Sequence, residues 1–452
     1  MNKPHFLLLV LIVLCLSLAT CATRPAGVPV SVLSPVYRSG PAVRGELVDA
    51  IPLATIAADE ATAYLTPATL SLKIKPDLLV RQGFFAAVDR LKPGFSRVRQ
   101  IRLHYWSEDP TGRPVQLSGL LMLPALEAGS GRALEILLIC HGTQLLRERV
   151  PSRLVTSERL VGLVAAASGL AVMLPDYPGM GDSEGFHPYC LADSLGKAGV
   201  DDLRSRGTRV RDCSWGGSST APGTYVLGYS EGGYAAMAVL REMETRINGE
   251  FALKAGYPLA VPADMSGTML RLMAGDQPAS SPYYMLYTLL GWQRFYPGVF
   301  PLERLLKPEV VQQVLPLMDG QSHGSVVNAR IAALQGVKVE QAVASRMLSA
   351  EGLDALRNPE GSELGRRIRE ALRQNDLYNW QPDPAVPILL AASPADELVP
   401  AVNSRIAASQ LAAKGGLIQL TELSPNTHAD AGIEAYALML LDVWKRAGVL
   451  GR

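Results

Sequence analysis

The stretch Tyr225-Val-Leu-Gly-Tyr-Ser-Glu-Gly-Gly-Tyr-Ala-Ala236 decides how this chain is read. An apolar run leads into a serine set among glycines, and a run of helix formers, Tyr234-Ala-Ala-Met-Ala-Val-Leu240, follows. The pattern predicts a strand over 225–229 that turns sharply into a helix over 231–245. Gly228-Tyr-Ser230-Glu-Gly232 then matches G-x-S-x-G, in which a strained strand-to-helix turn holds a serine hydroxyl exposed. Glycines suit it because the turn brings backbones too close for side chains. Gly233 extends the same logic, letting the helix lie close on the strand. In a chain with 41 glycines the pentapeptide alone is a weak signal, so its surroundings must support it.

Working outward, strands over 134–140 and 170–176 alternate with helices over about 152–167 and 192–205, the signature of a mostly parallel α/β sheet with helices on both faces. Ahead of them, Val98 to Trp106 alternates, Asp109-Pro-Thr-Gly112 turns and Val115 to Leu123 runs apolar, which reads as an antiparallel hairpin. The alternation lapses between 263 and 380, where 309–317, 325–334 and 364–372 are helical in succession. It resumes with strands 386–392 and 417–423 and an amphipathic helix over 432–447. The expected organisation is a core of residues 46–262 and 381–452 carrying a helical cap, 263–380, between its sixth and seventh strands.

A nucleophilic serine needs a base, and after Ser230 only His323, in the cap, and His428, just beyond the last strand, remain. His428 is the expected base. Pro387-Ile-Leu-Leu-Ala-Ala-Ser-Pro-Ala-Asp396 ends a strand with an acid able to orient it, whereas Asp383 precedes that strand and Glu397 points elsewhere. The chain order Ser230, Asp396, His428 is the one expected of an α/β-hydrolase. The turn His141-Gly142-Thr143, after Ile136-Leu-Leu-Ile-Cys140, is placed to form an oxyanion hole from the backbone amides of Thr143 and Glu231, with His141 holding the loop.

Several classes are excluded. Pro175-Asp-Tyr-Pro-Gly179-Met-Gly181-Asp-Ser-Glu-Gly185 fails the dinucleotide pattern because position 184 is Glu where glycine is required. Neither C-x-x-C nor H-E-x-x-H spacing occurs, so no metal or organic cofactor is expected. With 43 Lys plus Arg against 42 Asp plus Glu and no long run of one sign, there is no electrostatic footprint for nucleic acid.

The first 20 residues combine Lys3, an apolar stretch from Phe6 to Leu16 and Ser-Leu-Ala-Thr, which reads as a signal peptide, too short in its apolar part to span a bilayer. Leu18-Ala-Thr-Cys21 resembles a bacterial lipobox. The expectation is an exported envelope lipoprotein, membrane-associated through lipidated Cys21 and a linker over 21–45, with simple secretion as the alternative. Among the remaining cysteines, Cys190 and Cys213 lie in polar, loop-like sequence and are expected to pair as a disulfide in an oxidising compartment. Cys140 ends an apolar strand and is expected to be buried and inert.

Asp176-Tyr-Pro-Gly-Met-Gly-Asp-Ser-Glu-Gly-Phe-His-Pro-Tyr189, His141-Gly-Thr143, Gly228-Tyr-Ser-Glu-Gly-Gly233 and Ala263-Asp-Met-Ser-Gly-Thr268 together resemble the secretory lipase family of α/β-hydrolases, found as fungal lipases and bacterial lipase/esterases. The resemblance runs roughly from Val48 to Ala447 and is strongest over 137–235 and 386–430. It implies a carboxylic ester hydrolase with Ser230, Asp396 and His428 as triad and a helical cap over an acyl pocket. Arg206 to Pro222 departs from it as an enlarged loop. The cap stretch Ser281 to Phe300 concentrates aromatic residues; Tyr283, Tyr287, Trp292 and Phe295 are expected to meet an apolar ester, with cap core packing as the alternative. The rival functions are a serine peptidase or amidase on the same fold and a non-catalytic envelope lipoprotein.

Overall fold

Apolar runs without an exposed residue form the centre of the sheet: Ile136–Cys140, Ala171–Pro175 and Gly223–Tyr229. Such runs are expected where helices cover both faces of a parallel sheet. The computed structural model describes residues 43–62, 77–90, 97–125, 134–206 and 222–450, all of which belong to one compact unit.

In chain order the strands are β1 (Leu47–Ala57), β2 (Arg97–Glu108), β3 (Pro114–Pro124), β4 (Ile136–Cys140), β5 (Ala171–Pro175), β6 (Gly223–Tyr229), β7 (Ala252–Leu259), β8 (Pro387–Ala392) and β9 (Leu417–Glu422). They lie side by side in the order β1-β2-β3-β5-β4-β6-β7-β8-β9. From β5 to β9 every neighbouring pair is parallel; β1, β2 and β3 form an antiparallel wing that joins β5. The predicted hairpin is β2–β3, with Asp109 closing its turn by accepting the Thr111 and Arg113 amides at 2.8 and 3.0 Å. The strand β1 escapes the sequence pattern because most of its residues are exposed and Pro52 interrupts it. With β1 counted, the cap follows the seventh strand, not the sixth as expected.

The longer helices are α1 (Ser157–Ala167), α2 (Ala192–Ser205), α3 (Glu231–Thr245), α4 (Tyr283–Gln293), α5 (Gly324–Gln335), α6 (Glu363–Gln374), α7 (Val402–Ala413) and α8 (His428–Arg446). Alternate side chains of one strand feed opposite cores: Leu137 and Ile139 pack with α1 and α8, while Ile136 and Leu138 pack with α2, α3 and the cap. The regular elements of the insertion are helices, joined by loops that pair in two isolated bridges, and α4, α5 and α6 share their core with the sheet face that carries α2 and α3. The last helix starts at His428, four residues before the expected 432, because Thr427 caps it by accepting the Asp430 amide.

Candidate active site

The expected elbow is present at the end of β6. Ser230 has φ 62° and ψ −125°, a left-handed conformation that costs a non-glycine residue of order 1–3 kcal/mol. The turn is held by Ser230 N–H donating to Leu259 O at 2.9 Å and Tyr234 N–H donating to Ser230 O at 2.9 Å. The glycines are required by close approach: a Cβ on Gly228 would lie 2.0 Å from Gly232 O, and one on Gly233 would lie 2.2 Å from Leu259 O. Both obstacles are backbone, so neither position accepts a side chain without displacing β6, β7 or α3.

The structure brings Ser230, His428 and Asp396 together from three separate loops. Ser230 Oγ is 2.8 Å from His428 Nε2, and His428 Nδ1 is 2.7 Å from Asp396 Oδ2. The other carboxylate oxygen of Asp396 accepts the Leu398 and Val399 amides at 3.0 and 2.8 Å, so the acid is held by backbone as well as by the imidazole. With Asp396 as acceptor, the proton of a neutral His428 sits on Nδ1 and Nε2 is free to accept from Ser230. His323, the other histidine after Ser230, is taken up elsewhere: at the start of α5 its Nδ1 lies 2.7 Å from Ser325 Oγ, and Arg149 donates to its Nε2.

Residues that sequence reading missed fix His428. Glu397, expected to point away, accepts the His428 amide at 2.9 Å through Oε2. Tyr229 donates its hydroxyl to His428 O at 2.7 Å; burial, with the nearby Asp396 and Glu397 charges adding, pushes its pKa far up, so it stays a donor. Buried Ser393 lies 2.7 Å from Asn426 O and accepts the Asn426 amide at 3.1 Å, joining the acid loop to the base loop. Glu434, wholly buried on α8, accepts both the amide and the hydroxyl of Ser424 at 2.9 Å. No motif marks these residues; the one sequence cue is that Tyr229 and Glu397 adjoin motif positions.

At the oxyanion turn, His141 lies between Gly142 O at 2.8 Å and Asp176 O at 3.2 Å, which makes it a loop-holding residue as expected. The Gly142 amide is committed to Glu158 Oε1 at 2.9 Å, so Thr143 carries the next amide of the turn. Glu231 opens α3, where a first-turn N–H has no helical partner. Its carboxylate is buried and lies 2.6 Å from His187 Nε2, while His187 Nδ1 lies 3.0 Å from Pro178 O. The loop after β5 is thereby tied to the residue that follows Ser230, and the stacked rings of His141, Tyr177 and His187 continue that link.

A cleft of about 550 Å³ opens at Ser230 and Glu231. Its wall is mainly apolar, with Met265, Met269, Met273 and Met285 from the cap and Leu398 and Val399 from the acid loop. None of the four aromatic residues expected to meet the substrate lines it. Trp292 is fully buried and donates Nε1–H to Tyr189 O at 2.7 Å, and Tyr287 donates its hydroxyl to Gln144 O at 3.0 Å. Tyr283 is buried beside Tyr284 and Tyr287, and Phe295 packs against the core. Helix phase is the reason: Tyr284, Met285 and Thr288 of α4 reach the cleft, whereas Tyr283 and Tyr287 precede Tyr284 and Thr288 by one residue, about 100° around the helix. These rings dock the cap on the core.

The cleft is also lined by Cys190, a buried free thiol whose pKa burial pushes well up. The expected disulfide to Cys213 is therefore corrected on the Cys190 side, since a residue packed in the core at φ 51° is not in the loop-like setting its sequence suggests. Cys213 lies outside the described residues, as do the Arg206-to-Pro222 loop from position 207 to 221 and Cys21. Cys140 is buried and its thiol is pushed up to about 12 by burial.

No protein-family model and no curated protein sequence matches the chain. Solved structures do. A protein of Legionella pneumophila taken to be a hydrolase is similar over 89% of this chain and 98% of its own, with TM-score 0.73 and 20% identity. The rice cell wall degrading esterase LipA from Xanthomonas oryzae is similar over 90% and 97%, with TM-score 0.67 and 21% identity. Candida antarctica lipase A in its closed state is similar over 86% and 78%, with TM-score 0.59 and 12% identity. The fold is that of the α/β-hydrolases.

Proposed function

We propose that this chain is a serine carboxylic ester hydrolase, a lipase or esterase, acting through an acyl-enzyme. The observation that carries the reading is the continuous hydrogen-bond chain from Ser230 Oγ through His428 to Asp396, at 2.8 and 2.7 Å, with the serine held in left-handed geometry at the mouth of an apolar cleft. His428 Nε2 takes the hydroxyl proton as Ser230 Oγ attacks the ester carbonyl. The Thr143 and Glu231 amides receive the oxyanion, and Asp396 stabilises the imidazolium. His428 then protonates the leaving alcohol; water, activated by the same nitrogen, releases the acid. One oxyanion donor is worth about 3–4 kcal/mol of transition-state stabilisation. The esterase and lipase among the similar structures support ester chemistry over peptide cleavage.

Hydrolysis of p-nitrophenyl esters assayed beside aminoacyl 4-nitroanilides tests the reading. Ester turnover that disappears in Ser230→Ala is expected; exclusive turnover of the amides would transfer the site to a peptidase or amidase. The N-terminal sequence extends the proposal to an exported enzyme anchored at the envelope through Cys21. Cys21→Ser should then move the activity from the membrane fraction to the soluble one or leave the precursor unprocessed, and an unmodified mature N-terminus in the wild type would refute the anchor.

A further inference from the structure

The first cap segment leaves β7 through Asp264 and makes one π-helical turn, Met265–Met269, before a short helix, Leu270–Met273. This segment supplies much of one cleft wall, and among the described residues Arg271 is the one Lys or Arg that lines it. Arg271 is held from its base. Its guanidinium donates to Thr268 Oγ1 at 3.3 Å, and Thr268 donates its own hydroxyl and amide to buried Asp264 Oδ2, both at 2.7 Å. Asp264 is further satisfied by the Tyr378 hydroxyl at 2.9 Å. No carboxylate among the described residues lies within ion-pair distance of Arg271, so its remaining donors stay uncommitted at the wall. Glu231 and Glu397 also line the cleft, but their carboxylates are engaged by His187 Nε2 and by the His428 amide.

An apolar cleft with a single uncommitted cation at its wall is matched by a ligand that is both apolar and anionic. Arginine is charged at every physiological pH, and its planar fork binds carboxylate or phosphate oxygens in pairs. We propose that Arg271 is a specificity-determining residue that selects esters bearing an anionic group, a carboxylate or a phosphate, beyond the apolar part of the substrate. The proposal rests on the ester hydrolase reading and names its substrate class: an anionic amphiphile whose chain lies along Met265, Met269 and Met285 while its charge meets Arg271.

The test uses matched pairs of esters with the full chain. In one pair, 4-nitrophenyl octanoate is compared with the mono-4-nitrophenyl ester of octanedioic acid, which places a carboxylate at the acyl end. In the other, dioctanoylglycerol is compared with dioctanoylglycerol phosphate, which places a phosphate on the alcohol side. In one of the pairs the anionic member is expected to have the higher kcat/KM. The anionic-to-neutral ratio should fall about tenfold in Arg271→Gln, equivalent to about 1.4 kcal/mol, and be largely kept in Arg271→Lys. It should also decline with added salt, because the contact is at an open wall. The pair that responds identifies which side of the ester bond faces Arg271. General loosening of the Thr268 turn would slow both members alike and leave the ratio in place; a ratio unmoved by Arg271→Gln in both pairs overturns the proposal. A wild type that cleaves none of the four esters removes the ester reading itself, and this inference with it.

Discussion

On the sheet side of the cleft, the site is held through backbone groups: the turn at Ser230 is fixed by Leu259 O, Asp396 by two amides, and His428 at its own amide and carbonyl by Glu397 and the Tyr229 hydroxyl. On the cap side the wall is made of methionines and a half-free arginine, set on a π-turn, the short helix that follows it and α4. A reacting constellation tolerates little displacement, whereas an apolar chain is accommodated by flexible thioethers that fill irregular space. Site and wall are therefore expected to respond to substitution in separate ways, the first in turnover and the second in selectivity.

The largest effect should come from Ser230→Ala, which removes the nucleophile and one hydroxyl. Ester kcat should fall by about 10⁴- to 10⁶-fold with an unchanged circular dichroism spectrum. Retention of more than a few per cent of activity would break the assignment of the sheet side.

Next, Trp292→Ala should lower stability by about 3–5 kcal/mol, through the cavity it leaves and the lost bond to Tyr189 O, read as a shift in urea midpoint. The residual folded enzyme should keep its dependence on acyl length. A flattened profile would return the aromatic residues to the cleft.

A smaller and purely selective change is expected from Met273→Trp or Met285→Trp, which add bulk to the wall. Each methylene excluded from the cleft forfeits about 0.8 kcal/mol, roughly fourfold in kcat/KM. Octanoate esters should lose more than acetate esters, so the chain-length series should level off earlier than in the wild type. Equal losses at every length would show that the wall does not touch the acyl chain.

The smallest effect concerns the chain's return from the cap. Glu244 on α3 accepts the Asp383 amide at 2.6 Å, and burial pushes its carboxyl up to about 7. Because this native pKa lies above the unfolded value near 4.5, the folded state holds the proton more tightly, and stability falls as pH rises between the two. The group is half-exposed, so the loss is on the order of 1–2 kcal/mol. Urea unfolding of the wild type at pH 5 and pH 8 should show it, and Glu244→Gln should remove that part of the difference. An identical pH dependence in the variant would place its origin elsewhere, His104 being the natural alternative. Its pKa is raised because the bonds to Asp182 and Asp49 outweigh burial, which acts the other way, and its contribution too is lost as pH rises.

The two sides also differ in how far the sequence discloses them. The elbow was legible because its constraint is local: a strand, a strained serine and glycines that face backbone at 2.0 and 2.2 Å leave few residue choices. Strand ends in a parallel sheet converge on one edge, so placing an acid after β8 and a histidine after β9 was enough to pair Asp396 with His428 across 32 positions. Glu397, Ser393 and Glu434 were not legible, since each acts through a loop carbonyl or amide whose partner is fixed only when the loops meet.

By itself, then, the sequence determined the parallel centre of the sheet, the hairpin beside it and the identity of the residues that meet at Ser230, because these follow from hydrophobic period and short-range backbone sterics. Tertiary structure alone decided what lines the cleft. In α4 nearly every side is buried, against the core on one side and the rest of the cap on another, so its composition carries no phase, and only docking sends Met285 to the cleft and Tyr287 to Gln144. The same holds for Cys190, whose polar neighbours in sequence gave no sign that the fold packs it into the core. Side-chain direction on a helix enclosed on all sides is set by what surrounds it, and that is a property of the assembled chain.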